Sequence, residues 1–267
     1  MSIWEAILWG VLQGATEFLP VSSSGHLVLV PWLLHLTTPD VTFDVMLHAG
    51  TLLASLVFFW GDICTLLKGL WESIRTRHLT ASGHMALLVV VGVVPAGLAG
   101  VLWEDVVASA FGAPAVVAAL LLVTGALLAL GERVGRRERS LASLTWRDAL
   151  WIGLAQCVAL LPGVSRSGTT ISAGLLRDLD REAATRYSFL LAMPLIAGAT
   201  GYSLLTLPDG GEGVSLGLLA VGLITAAVAG YAALHWLLGL VRRHSVWPFA
   251  IYCWAIGTFC LIVAAVR

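Results

Sequence analysis

The chain has 267 residues, of which 58% are hydrophobic and only 12% charged, with a mean hydropathy of +0.91 and a formal net charge of −1. Soluble domains carry about 25% charged residues, so too little polar surface is present to cover a water-soluble globule. That class is excluded, no nucleic-acid partner is expected, and the near-zero charge sum matters less than where the charges lie.

The first apolar run, Ser2–Leu19, ends at Pro20. It lacks the basic start of a secretory signal peptide, since the first Lys or Arg is Lys68. Ser24–Leu36 follows with only 13 residues. Phe43–Trp60, His84–Trp103 and Ala113–Leu130 are each long enough to span a hydrocarbon core, which takes about 20 apolar residues. Trp146–Leu161 then ends at Pro162, and Ser167–Leu176 has only ten residues. Ala184–Leu205, Val214–Val241 and Trp247–Val266 complete six candidate crossings. At about 1.5 Å per residue the two short pieces reach only about 15–20 Å, so they can enter a bilayer and return but cannot cross alone. Each follows a break, Pro20-Val-Ser-Ser-Ser-Gly25 or Pro162-Gly-Val-Ser-Arg-Ser-Gly168. Non-helical backbone at membrane depth survives only when buried in protein or lining a wet cavity. The pattern predicts an all-α integral membrane protein with an inverted-topology repeat: six transmembrane helices plus two re-entrant helix hairpins.

Charge supports this layout. With six crossings, loops 61–83, 131–147, 177–186 and 241–246 share one side and hold 13 of the 15 Lys and Arg residues. The opposite loops, 37–42, 104–112 and 207–213, hold none and carry Asp40, Glu104, Asp105, Asp209 and Glu212. Basic loops stay cytoplasmic, so the first hairpin enters from outside. The halves also repeat. Gln13 and the first break match Gln156 and the second, and Phe43-Asp-Val-Met-Leu47 lies about 144 positions before Tyr187-Ser-Phe-Leu-Leu191. One membrane domain is predicted, with repeat one at about 1–131, a cytoplasmic linker at about 132–145 and repeat two at about 146–267. Three crossings per half invert the second copy, and inverted repeats with broken helices commonly hold a polar site near the midplane. Cys64, Cys157, Cys253 and Cys260 show no CxxC pairing and are read as packing residues. Trp32, Trp60, Trp103 and Trp247 are read as interface anchors.

The ionisable residues outside the loops gather at the two breaks. Gln13 and Glu17 are four apart and share a helix face. Ser22, Ser23, Ser24, Gly25 and His26 follow, and across the repeat stand Ser165, Arg166, Ser167, Gly168, Thr169 and Thr170. An ionisable group inside a membrane is costly and points to function. This set suits phosphoryl transfer. Arg166 offers a planar fork of donors, and the Gly/Ser turns and helix starts offer backbone N–H groups to an anion. Glu17 with Gln13 could hold a divalent cation through oxygen ligands. His26 is a candidate acid/base or nucleophile, and Ser23 competes as nucleophile; spacing does not choose between them. A purely structural Glu17–Arg166 ion pair is the blander alternative. Asp44 and His48 are read as interfacial or packing residues.

The stretches Gly10-Val-Leu-Gln-Gly-Ala-Thr-Glu-Phe-Leu-Pro-Val-Ser-Ser-Ser-Gly-His26 and Leu161-Pro-Gly-Val-Ser-Arg-Ser-Gly-Thr-Thr170 resemble the two signature motifs of the bacterial undecaprenyl-diphosphatase, or bacitracin-resistance, family. Order, spacing and hydropathy agree over essentially the whole chain. The resemblance implies hydrolysis of undecaprenyl pyrophosphate to the monophosphate and inorganic phosphate, recycling the carrier lipid for cell-wall synthesis. It also implies Mg²⁺ or Ca²⁺ as cofactor, a bacterial inner membrane location and an active site opening to the periplasmic face. By position, Glu17, His26, Ser23 and Arg166 match the catalytic residues of the motifs, with Gln13, Ser22, Ser24, Ser165, Ser167 and Thr170 as substrate-binding companions. Gln13, with Glu17 the expected metal pair, stands where many members have glutamate. The partners expected are the lipid pyrophosphate and the bilayer, and a homodimer is compatible. A polyprenyl-phosphate flippase using the same site is the alternative. A phosphatidic-acid-type phosphatase is disfavoured, because no Lys precedes Lys68 and no His lies between Arg166 and His235.

Overall fold

Proline and glycine decide where the first helices stop. In a computed structural model, which describes residues 1–103, 109, 111–206 and 214–267, α1 (Ile3–Phe18) ends just before Pro20 and α2 (Ser23–Leu34) starts beyond it. Next come α3 (Val41–Phe58), α4 (Trp60–Thr76), α5 (Ala81–Leu102) and α6 (Pro114–Val134). The second break separates α7 (Trp146–Val158) from α8 (Arg166–Leu175), and α9 (Arg181–Thr206), α10 (Leu216–Val241) and α11 (Trp247–Val266) complete the chain. Among the described residues there is no strand, only an isolated bridge between Arg139 and Leu179.

Six helices, α3, α5, α6, α9, α10 and α11, are long and apolar enough to cross a membrane. They match the six expected crossings within a few residues. Their outward surface is apolar: Val101, Leu205 and Leu216 are 78%, 88% and 84% exposed. A water-soluble fold does not leave such continuous apolar surface open, whereas hydrocarbon covers it at no cost. The chain is an all-α integral membrane protein. The 16-residue α1 and the 12-, 13- and 10-residue α2, α7 and α8 extend only about 15–24 Å at 1.5 Å per residue.

One expectation needs correcting. The stretch 61–83 was expected as a loop, but most of it is α4. Gly69 and Ser73 face inward, so close that a Cβ on Gly69 would meet Ser82. Trp60, Leu67, Trp71 and Ile74 are exposed at spacings of seven, four and three. Such an amphipathic helix suits the plane of a membrane interface.

Small residues let the site-bearing helices pack closely. α1 lies against α10, which also packs on α3. A Cβ on Gly10 would come within 2.9 Å of the Gly222 carbonyl, and one on Gly14 within 2.5 Å of that of Ala226. α7 approaches α5 in the same way, Gly153 sitting on the backbone of Gly92. Close backbone approach through small residues is how membrane helices gain van der Waals contact.

The four basic loops meet at one end of the bundle, as their charge predicted. Arg139 and Arg177 both bind the fully buried Asp148, at 2.7 Å each. Arg137 and Arg181 bind Glu132, Arg186 reaches Asp62 on α4 at 2.8 Å, and Arg242 reaches Glu182 at 2.7 Å. Of the opposite acidic residues, Asp40 caps α3 by accepting from the Phe43 N–H at 2.7 Å. Glu104, Asp105, Asp209 and Glu212 lie outside the described residues.

Asp148 locks the linker to the second half, and removing its charge has a definite cost. Burial alone would push its carboxyl up, but hydrogen bonds from Arg139, Thr145 and Arg177 hold it well below the usual carboxylate range. Asp148→Asn is expected to destabilise the detergent-solubilised protein by about 2–3 kcal/mol, the buried-pair figure reduced for solvent reaching both arginines. A carboxyl held low by the fold contributes fully above its ordinary pKa and loses that contribution as pH falls toward the depressed value. The deficit should therefore be constant from neutral pH to about pH 5 and shrink below about pH 4. Thermal unfolding of both proteins across pH checks this; equal midpoints at pH 7 would dismiss the lock.

Candidate active site

The first break is held by unusual backbone. Ser22 has φ 71° and ψ 97°, a conformation that costs a non-glycine residue about 1–3 kcal/mol, and its Oγ accepts from the Gly25 N–H to start α2. The second break turns at Gly163 (φ 96°), where any Cβ would strike the Val117 carbonyl at 2.3 Å. There Ser165 Oγ accepts from the Gly168 N–H to start α8. Thr124 of α6 staples this turn, donating to the Gly163 carbonyl and accepting from the Ser165 N–H, both at 2.9 Å. The two turns touch. Ser167 Oγ donates to the Leu19 carbonyl at 3.2 Å, and a Cβ on Gly25 would lie 3.2 Å from Gly163 Cα.

Glu17 is where they converge. Its Oε1 accepts from Arg166 Nη2 at 2.6 Å, and its Oε2 accepts from Ser23 Oγ at 2.6 Å and Gln13 Nε2 at 3.1 Å. Ser23 and Arg166 are the first residues of α2 and α8, so each short helix delivers its opening side chain to one carboxylate. The pair is secluded, with Glu17 8% and the Arg166 side chain 13% exposed. Two polar atoms here are buried without a hydrogen-bond partner: Arg166 Nη1 and Gln13 Oε1. A buried, unsatisfied donor costs about 1–3 kcal/mol, and more when charged, so the site is incomplete without a ligand that accepts from Arg166.

His26 stands apart from that carboxylate. Its Nδ1 lies 2.7 Å from the Ser22 carbonyl, which can only accept, so Nδ1 carries the proton. Nε2 of the neutral ring then accepts from the Tyr252 hydroxyl at 2.8 Å, with the two rings nearly parallel. Tyr252 was missed from sequence, because a tyrosine inside the apolar run of α11 looks like an interface residue. Beside it, Cys253 Sγ faces the Pro20 carbonyl at 3.7 Å, so α11 buttresses the first turn. Tyr252→Phe, which keeps the stacking and removes the hydrogen bond, is expected to lower turnover about 3- to 10-fold, the worth of one such bond. Unchanged kcat in the purified variant would remove Tyr252 from the site.

The remaining sequence candidates divide. Ser22 and Ser24 lie 3.4 Å apart, and Ser165 and Ser167 3.2 Å apart, around the two helix starts. Thr170 faces away, bonded to the Arg166 carbonyl and to Ser188 of α9 at 2.6 Å. Asp44 and His48, read as interfacial or packing residues, line a cavity of about 490 Å³ together with Ser24. Among the described residues no three His, Cys, Asp or Glu side chains gather as a metal cluster.

A profile of the family described as bacitracin resistance protein BacA matches residues 6–259. Over 267 residues, the whole of both chains, the sequence is 42% identical to an undecaprenyl-diphosphatase of Halothermothrix orenii and 41% to one of Desulforudis audaxviator. It is also 43% identical over 275 residues to an undecaprenyl-diphosphatase of Thermomicrobium roseum, covering 99% of each.

Proposed function

The chain belongs to the bacitracin resistance protein BacA family, and from that premise we infer that it is an undecaprenyl-diphosphatase, hydrolysing undecaprenyl pyrophosphate to undecaprenyl phosphate and inorganic phosphate. The relatives are named for hydrolysis, and nothing in them supports a pure flippase. Such an enzyme returns the carrier lipid to cell-wall synthesis and underlies resistance to bacitracin. The observation that carries the reading is the buried, unpartnered Nη1 of Arg166 beside Glu17: a guanidinium half used by a carboxylate and half open to a phosphate oxygen. Purified protein in detergent should release inorganic phosphate from a long-chain isoprenyl pyrophosphate. Failure to do so, with folded protein, would sink the reading.

The hydrogen bonds support a division of roles. Ser23 already donates its proton toward Glu17, the arrangement of a nucleophile with its base. Ser23 attacks the terminal phosphorus as its proton passes to Glu17. The bond from that phosphorus to the bridging oxygen breaks, and the lipid monophosphate leaves with the electron pair. Water then attacks the phosphoserine: its hydroxyl goes to phosphorus and its other proton to solvent, the Oγ–P bond breaks, and Glu17 returns its proton to Ser23 Oγ as phosphate leaves. Arg166 and the N–H groups opening α2 and α8 hold the charge that builds on the terminal phosphate. His26, locked by Ser22 and Tyr252, fixes the turn that carries Ser23.

A divalent cation, Mg²⁺ or Ca²⁺, fits as a partial set: the Glu17 carboxylate and the unpartnered Gln13 Oε1 offer hard oxygens, with substrate phosphates completing the shell. When bound, it would neutralise pyrophosphate charge.

We further propose that α1–α2 and α7–α8 are re-entrant hairpins of inverted repeats, at about 1–131 and 146–267 around the linker. Their lengths support this, as do the matched serine pairs and the matched Gly10–Gly222 and Gly153–Gly92 crossings. An inner-membrane location with the site open to the periplasmic face is supported by the basic loops. Those loops lie at the Phe58 end of the 18-residue α3, about 27 Å from its Val41 end, where the cavity lies.

A further inference from the structure

The catalytic residues account for one phosphate of a lipid pyrophosphate. The second carries charge as well, and it must sit where polar turns give way to apolar wall. The cavity of about 490 Å³ has that character: Ser24, Asp44 and His48 lie on it together with Val28, Pro31 and Trp32 of α2. Ser24, on this wall, is the residue after Ser23, which donates to Glu17. We propose that the Asp44–His48 pair grips the lipid-linked phosphate of the substrate, while the apolar wall of α2 takes the first isoprenyl units. This rests on the diphosphatase reading above.

His48 and Asp44 are four apart on α3. His48 Nδ1 lies 3.0 Å from the Asp44 carbonyl, which makes Nδ1 the donor, and 3.6 Å from the Asp44 carboxylate. Nε2 has no partner among the described residues. The side chains are 31% and 42% exposed, open to the cavity rather than packed. Asp44 supplies the counter-charge that an imidazolium needs at membrane depth; with Nδ1–H given to the Asp44 carbonyl, it is the imidazolium that donates Nε2–H to an anion, since Nε2 of the neutral ring has only a lone pair. A lipid-linked phosphate without such a partner would be desolvated against Pro31 and Trp32 at a cost of several kcal/mol.

The test separates the two phosphates. Purified full-length protein is assayed with farnesyl pyrophosphate as substrate, and with farnesyl monophosphate and inorganic phosphate as inhibitors. His48→Ala is expected to raise KM about tenfold and weaken inhibition by farnesyl monophosphate about tenfold. kcat should stay within about threefold of wild type and inhibition by inorganic phosphate should not change, as for a lost ground-state contact. Asp44→Asn, the milder variant, should shift the same two constants about threefold. An unchanged KM in both variants would overturn the proposal, as would equal weakening of both inhibitors or a fall in kcat alone. If the wild type releases no phosphate, the diphosphatase reading fails instead, so the two failures are distinguishable.

Discussion

Arg166→Ala is expected to lower phosphate release by at least about 1,000-fold, the scale of an arginine that stabilises a transferring phosphoryl group, while the protein still elutes as a folded species. The side chain is an expensive one to keep. It is 13% exposed, gives Nη2 to Glu17 at 2.6 Å and holds Nη1 buried with no partner. A structural ion pair would be built to satisfy the fork, because an open charged donor wastes the interaction it exists for. A phosphate oxygen on Nη1 completes it. Arg166→Lys keeps the charge, guards against misfolding from an unpaired Glu17, and should recover little activity, since an ammonium cannot serve carboxylate and phosphate as two arms of one plane. Turnover near wild type in either folded variant would remove Arg166 from the chemistry.

What the sequence discloses about this fold depends on the range over which each signal acts. The breaks at Pro20 and Pro162 were legible because proline, glycine and serine act on their own backbone, and the six crossings because hydropathy accumulates over about 20 residues. α4 escaped because Asp62, Lys68, Glu72 and Arg75 lower its mean hydropathy, while its apolar stripe of Trp60, Leu67, Trp71 and Ile74 follows a helical period that a crossing-length window does not see. At the site, the Gln13–Glu17 spacing was readable within one helix. Arg166 was recognisable as costly, and its meeting with Glu17 followed from the paired breaks. The contacts of Tyr252 with His26 and of Asp148 with Arg139 and Arg177 join positions 226, 9 and 29 residues apart. Nothing local marks such pairs: Tyr252 sits in an apolar run, and Asp148, in the first turn of α7, reads as an ordinary helix-start charge until the bundle buries it. Asp44 and His48 are a related case: near the start of α3 they look like interface polarity, and their place on the cavity wall depends on helices far away in sequence.

Glu17→Gln tests the charge of the carboxylate with almost no change of shape, and it should reduce turnover by at least about 100-fold, the scale of a lost general base. As placed, Glu17 accepts three hydrogen bonds, from Arg166, Ser23 and Gln13. An amide can accept only through its oxygen, and its NH₂ would face Arg166, Ser23 or Gln13 in place of an acceptor. Ser23 would lose the group that takes its proton. The double variant Glu17→Gln/Arg166→Ala decides between catalysis and mere support. Residues that act as a unit are strongly non-additive in rate, so the double variant should be no slower than the worse single one, within about threefold. Two residues paired only for stability would show their coupling in the unfolding midpoint and leave kcat near that of wild type in every folded variant, the result that would return Glu17 and Arg166 to the status of an ion pair.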